Sequence, residues 1–181
     1  QRITLNSQNN SFVVKSGLWA GKSLFELYSQ GETPISWLPQ LFSLAKDLKI
    51  TLFSSPFSPE DVQILEDFDC PIYKVASLEI TYTQLLKAIA MTGKPVIMST
   101  GGATLEEIQY AIETLTAHGT KSLVLLKCSP TYPAQLQDLN LSTIPFLREK
   151  FQVPVGFSDH TEGSIAASIA TRSTSPSAFA L

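Results

Sequence analysis

A rhythm of short, largely apolar runs constrains this chain more than any other feature. Ile50 to Phe53, Ile72 to Ala76, Pro95 to Met98, Ser122 to Leu126 and Val153 to Phe157 are rich in Val, Ile and Leu and do not alternate apolar with polar. Strands buried on both faces of a parallel sheet read this way. Between the runs lie polar punctuation and amphipathic stretches with helix start signals. Thr81 with Gln84, and Thr104 with Glu107, have capping-box spacing. Ser58 before Pro59 predicts an N-cap and first helical residue. After Thr104, Leu105, Ile108, Ala111, Ile112 and Leu115 fall at spacings of three and four, which turns one face to a core. The stretch from Glu32 to Lys49, entered at Pro34 or Ser36, predicts another helix with Trp37, Leu41, Leu44, Ala45 and Leu48 as its buried stripe. Phe25, Tyr28 and Trp37 read as packing aromatics.

Strand and helix alternate at intervals of about 20–30 residues, the signature of an α/β fold. Each run ends in similar chemistry: Ser54-Ser55-Pro56, Lys74 to Ser77, Ser99-Thr100-Gly101, Lys127-Cys128-Ser129 and Ser158-Asp159-His160. Polar groups gathered from the C-terminal ends of successive strands build the site of a TIM barrel. An open doubly wound sheet would instead place its ligand at one switch point, usually with a glycine-rich phosphate loop. Neither GxGxxG nor GxxxxGK[ST] is present. A barrel has eight strands and typically about 250 residues. Five runs in 181 residues therefore predict a partial barrel.

Composition narrows the partners. Thirteen Lys and Arg against 16 Asp and Glu, with no basic stripe, argue against nucleic acid. No apolar run approaches the roughly 18–20 residues of a membrane helix, and no signal peptide is visible, so a cytoplasmic protein is expected. The chain starts at Gln1 rather than Met, which leaves a lost leader open. Cys70 and Cys128 match neither CxxC nor a disulfide framework and read as small buried thiols.

Lys74 stands between Tyr73 and Val75 inside an apolar run. An unpaired buried ammonium is costly, so this lysine reads as a cation held for a phosphate or carboxylate. Ser55, Ser77, Ser99 and Ser129, at matching strand ends, would complete an anion cradle. Lys127 also ends a run, but a place in the site and a place at the solvent rim both remain open. His160, after Ser158 and Asp159, suits a metal ligand with Asp159 as orienting neighbour, or a general base. His118, before Gly119, reads as a dipole partner at a helix C-terminus.

Seven ordered segments carry a resemblance. Phe53-Ser54-Ser55-Pro56-Phe57, Tyr73-Lys74-Val75-Ala76-Ser77, Gly93-Lys94-Pro95, Met98-Ser99-Thr100-Gly101, Ala103-Thr104-Leu105-Glu106-Glu107-Ile108, Tyr132-Pro133-Ala134 and Gly156-Phe157-Ser158-Asp159-His160-Thr161 resemble the sialic acid synthase family. Those enzymes condense phosphoenolpyruvate with a hexosamine-type sugar to give nonulosonic acids. Gly17-Leu18-Trp19-Ala20-Gly21-Lys22-Ser23-Leu24, Leu27-Tyr28, and Thr33-Pro34 with Trp37 resemble its pseudaminic acid synthase branch, which takes a 2,4-diacetamido-2,4,6-trideoxy hexose. N-acetylneuraminate or legionaminate synthesis is the alternative, and a non-catalytic barrel remnant is the competing class.

The resemblance implies roles at matching positions. Ser55, Lys74, Ser77, Ser99 and Ser158 would hold phosphoenolpyruvate, Ser129 and Tyr132 would meet the acetamido sugar, and His160 would bind a divalent metal, Mn²⁺ or Mg²⁺. Lys74 and Asp159 are the catalytic candidates. It also implies a homodimeric full-length parent. The departures are equally specific. Residues 1–170 would form the barrel part, without strands 1, 2 and 8 and without the first-strand Glu and second-strand Lys that would precede Ile3-Thr4-Leu5. Residues 171–181 read as an atypical tail lacking the second metal histidine, and on this reading the family's C-terminal antifreeze-like domain is expected to lie outside the 181 residues. Pro130 replaces a common polar residue, and Lys127 stands where His is frequent.

Overall fold

The computed structural model describes residues 6–7, 9–17 and 19–172, and the tail beyond Arg172 and the Ile3-Thr4-Leu5 segment lie outside it. The chain divides into two compact units, residues 1–52 with 57–69, and residues 53–56 with 70–181.

In the second unit, four strands make one sheet: β1 (Tyr73–Val75), β2 (Val96–Ser99), β3 (Leu123–Cys128) and β4 (Val155–Ser158). Their order is β1-β2-β3-β4 and every pairing is parallel. Successive strands laid side by side without reversal are the winding of a (β/α) barrel; a doubly wound sheet changes direction at a switch point. The fold is α/β and fits a partial barrel.

One expectation needs correction. Ile50 to Phe53 is not a strand. Its neighbourhood contributes a single parallel bridge, Ser54 to Tyr73, in which the Lys74 N–H donates to the Ser54 carbonyl at 3.0 Å. Apolar content marks a segment for burial, but a strand needs a ladder. β1 is three residues long, so it offers that segment little backbone to pair with.

Register divides the sheet's two faces. Val75, Met98, Leu125 and Val155 are mutual neighbours across the four strands and are fully buried. Burial of each such side chain contributes about 1.5–3 kcal/mol, so this face anchors the sheet. It is covered by α4 (Thr83–Met91), α5 (Leu105–Ala117), α6 (Thr143–Phe151) and α7 (Ile165–Ala170), which bury Leu85, Leu86, Ile89, Ile108, Ala111, Leu115, Ile144 and Leu147 among others.

Capping follows the sequence at one of the two boxes. Thr104 accepts from the Glu107 N–H at 3.2 Å, while the Glu107 carboxylate accepts from the Thr104 N–H at 2.8 Å. The Thr81–Gln84 box does not form. A 3-10 turn, Ser77–Thr81, occupies that stretch and α4 starts after Tyr82, with no side-chain cap. His118 places Nδ1 2.8 Å from the Thr114 carbonyl, as its helix-end position implies.

In the first unit lie α1 (Leu24–Gly31), α2 (Leu38–Asp47) and α3 (Pro59–Glu66). Ser23 and Glu26 form a full capping box on α1, and Ser58 caps α3 through the Asp61 N–H at 3.2 Å. The stripe on and around α2 needs correction as well. Trp37, Leu41, Leu44 and Leu48 are exposed, as is Tyr28 of the aromatic group. The helical period commits these residues to one face, but the described residues supply no layer that covers it.

Candidate functional site

Side chains alternate along a strand, so register alone assigns which strand-end groups share the face opposite Val75, Met98, Leu125 and Val155. Lys74 pairs with Ile97, and Ile97 with Val124; Ser99 pairs with Leu126, and Cys128 with Ser158. Counting in twos along β2, β3 and β4 places Lys74, Ser99, Cys128 and Ser158 on one face, opposite Val75, Met98 and Leu125. Lys127 falls on the other face. Its ammonium donates to the Cys128 carbonyl at 3.0 Å and borders a cleft of about 260 Å³ with Asp138, Asn140 and Thr143. That resolves its two readings against a place beside Lys74.

Lys74 is half-buried, and desolvation pulls its ammonium below the usual lysine range, opposed by the neighbouring Cys128 and Glu79. Desolvation pushes the Glu79 carboxyl upward, with Lys74 opposing it. Each group thus favours the charge of the other while burial disfavours both.

Around this cation, three strand ends are laced together. The Gly101 N–H donates to Ser77 Oγ at 3.1 Å, and Ser77 Oγ lies 3.2 Å from Cys128 Sγ. A Cβ on Gly101 would sit 2.8 Å from Cys128 Sγ and 3.0 Å from Ser77 Oγ, so only glycine allows this approach. Ser99 is 2% exposed, and its hydroxyl has no hydrogen-bond partner among the described residues. A buried hydroxyl without a partner costs about 1–3 kcal/mol, and an anionic ligand on this face would remove that cost. Ser55 is half-buried next to Ser54, whose backbone pairs with β1.

A second group of residues gathers beyond β3 and β4. His160 Nδ1 lies 2.7 Å from the Ser129 carbonyl. A carbonyl only accepts, so in the neutral ring Nδ1 carries the proton and Nε2 keeps its lone pair. Nε2 faces the Tyr132 hydroxyl at 3.0 Å and the Ser158 hydroxyl at 3.4 Å, and the Tyr132 ring stacks on the imidazole with centroids 4.0 Å apart. The Ser129 hydroxyl pairs with Thr131 at 2.9 Å. The orienting partner of His160 is therefore the Ser129 carbonyl rather than Asp159. Asp159 Oδ1 accepts from the Thr161 N–H at 2.9 Å and its hydroxyl at 2.8 Å, closing a local turn.

His160 has the tautomer of a metal ligand, with a carbonyl holding its other nitrogen. Among the described residues, however, no group of three His, Cys, Asp or Glu is placed to share a metal ion. One imidazole with two hydroxyls does not by itself fit a divalent cation.

Sequence reasoning missed Cys128 and Gly101 as members of the site. Cys128 is buried and free, as expected of a small core thiol, but its place on the Lys74 face depends on register.

Comparison with known proteins agrees with this architecture. The model of the NeuB family matches residues 1–174. Pseudaminic acid synthase of Helicobacter pylori is 42% identical over 169 residues, covering 93% of this chain and 50% of that protein. Pseudaminic acid synthase of Campylobacter jejuni subsp. jejuni serotype O:2 is 44% identical over 164 residues, covering 91% and 48%. The crystal structure of N-acetylneuraminic acid (sialic acid) synthetase from Leptospira borgpetersenii, in complex with citrate, superposes with a TM-score of 0.78 at 31% identity, covering 82% of this chain and 52% of that one. The chain spans about half the length of the curated relatives it matches. It belongs to the NeuB family.

Proposed function

We propose that this chain carries the phosphoenolpyruvate-binding part of a synthase that joins phosphoenolpyruvate to a 2,4-diacetamido-2,4,6-trideoxy hexose, giving a pseudaminic-type nonulosonic acid. One observation carries the reading. Register puts a half-buried ammonium (Lys74), a buried hydroxyl lacking a partner among the described residues (Ser99) and a second strand-end hydroxyl (Ser158) on one sheet face. Such a face suits a ligand bearing both phosphate and carboxylate, with Ser77 just beyond β1 and Ser55 beside the Ser54–Tyr73 bridge. Ammonium and hydroxyl donors placed where anionic oxygens sit act without reorganising.

In the reaction, C3 of phosphoenolpyruvate bonds to the aldehyde carbon of the open-chain sugar, the aldehyde oxygen takes a proton, water adds at C2, and the C2–O bond to phosphate breaks. Tyr132 and the Ser129 loop are assigned to the sugar, Lys74 to holding the anion, and Asp159 remains the second catalytic candidate. A divalent metal, Mn²⁺ or Mg²⁺, belongs to the proposed reaction of the whole enzyme. Among the described residues no group of three His, Cys, Asp or Glu is placed to hold it, so the reading rests on the anion cradle. A homodimer of the full-length parent and a cytoplasmic location complete the proposal, and no helix among the described residues is long and apolar enough to cross a membrane.

The reading is tested by titrating the chain with phosphoenolpyruvate by calorimetry. A charge-assisted contact contributes about 1.5–3 kcal/mol, so Lys74→Ala is expected to weaken binding roughly tenfold to hundredfold with secondary structure unchanged. Equal affinity in Lys74→Ala would remove the cradle.

A further inference from the structure

The Cys128 thiol lies at the centre of the lacing described above, and its effect on Ser77 is specific. Ser77 Oγ has two lone pairs and one proton. The Gly101 N–H at 3.1 Å uses one lone pair. Cys128 Sγ, 3.2 Å away, can fill the second by donating its S–H. With both lone pairs taken, the Ser77 hydroxyl has only its proton left to offer, and a group presenting just a donor is what an anionic oxygen requires. Were the proton to point at sulfur instead, Ser77 would show the ligand a lone pair and repel it. The thiol is 2% exposed, so water does not compete for the contact.

A second observation points to a ligand at this place. Ser99, buried and without a partner, shares the face with Cys128 and Lys74. The close approach also depends on the backbone side, because a Cβ on Gly101 would crowd both Sγ and Ser77 Oγ.

We infer that Cys128 is a positioning residue for anion binding: its thiol orients the Ser77 hydroxyl as a dedicated donor toward the phosphate or carboxylate of the ligand. The inference rests on the phosphoenolpyruvate reading of this face and adds to it a residue that touches no substrate.

The test uses the 181-residue chain and phosphoenolpyruvate as the titrant, with far-UV circular dichroism and thermal melting on every variant. Loss of one neutral hydrogen bond corresponds to about threefold to tenfold in affinity, the loss expected for Cys128→Ala. Cys128→Ser keeps a donor at this position and is expected to recover most of it. Because Cys128 acts through Ser77, the double variant Cys128→Ala/Ser77→Ala is expected to bind no more weakly than Ser77→Ala. A structural role alone would instead give multiplicative losses and no rescue by serine. Wild-type affinity in Cys128→Ala, or multiplicative losses in the double variant, overturns the inference while leaving the cradle intact. A Lys74→Ala chain that binds like wild type overturns the cradle reading, and a wild-type chain that binds no phosphoenolpyruvate overturns both.

Discussion

Replacing Gly101 by alanine asks whether the three strand ends are packed as closely as their distances say. A new Cβ would stand 2.8 Å from Cys128 Sγ, 3.0 Å from Ser77 Oγ and 3.3 Å from the Cys128 carbonyl. Comfortable contacts between such atoms lie near 3.5–4.0 Å, so three neighbours must give way at once. One of them is backbone in β3, which cannot rotate aside. Overpacking of this kind costs about 1–3 kcal/mol. For a chain of this length each kcal/mol lowers the melting temperature by about 2–4 °C, so Gly101→Ala is expected to melt roughly 2–12 °C below wild type. It should also bind phosphoenolpyruvate about threefold to tenfold more weakly, because Ser77 is pushed off its bond to the Gly101 N–H.

Gly102→Ala is the matched control. Its φ is +77° with no atom within 4 Å of an added Cβ, so it should lower stability through backbone strain while leaving affinity unchanged. Trimming the opposing side chain in Gly101→Ala/Cys128→Ala removes the shortest contact and should restore part of the lost melting temperature. Differential scanning fluorimetry and calorimetric titration read both quantities. A Gly101→Ala chain with wild-type stability, or one that Cys128→Ala fails to relieve, would refute the packing argument.

Two further outcomes follow from the same geometry. Desolvation holds Lys74 below the usual lysine range, and the anion is bound by the protonated ammonium. Phosphoenolpyruvate affinity should therefore be full below that lowered pKa and fall as pH rises through it, earlier than for an ordinary surface lysine; an affinity that grows with alkalinity would contradict this. Incubated with phosphoenolpyruvate, Mn²⁺ and either 2,4-diacetamido-2,4,6-trideoxyaltrose or N-acetylmannosamine, the chain should release no phosphate above the no-enzyme control, because no three His, Cys, Asp or Glu among the described residues are placed to share a metal ion. Sugar-dependent release would show that another group completes the centre.

The sequence was most informative where local chemistry decides the outcome. Thr104 with Glu107 and Ser58 before Pro59 cap helices because a side-chain oxygen and an orphan N–H three residues away need nothing else. It failed where a distant partner decides. Ile50 to Phe53 had strand composition but only one bridge beside it. Trp37, Leu41, Leu44 and Leu48 had a helical period but no covering layer among the described residues. Thr81 yielded to the 3-10 turn that carries the chain from Ser77 into α4.

The site divides along the same line. Lys74 stood out from its apolar surroundings, and His160 from its place after a strand. Cys128 was invisible as a site residue, and Lys127 ambiguous, because parity between strands is set by register. The register Lys74–Ile97–Val124 and Cys128–Ser158 is a property of the assembled sheet. Even the orienting partner of His160, the Ser129 carbonyl, is a backbone atom 31 residues away that no side-chain pattern announces.

In the proposed function one sheet face, and not the cleft beside Lys127, receives the anion. The direct measurement is a ¹⁵N-resolved NMR titration of the chain with phosphoenolpyruvate. Saturable shifts are expected at the amides of Lys74, Ser77, Ser99 and Gly101, with the Asp138, Asn140 and Thr143 amides around Lys127 unmoved. Shifts centred on Asp138, Asn140 and Thr143, with Lys74 and Gly101 unmoved, would contradict it.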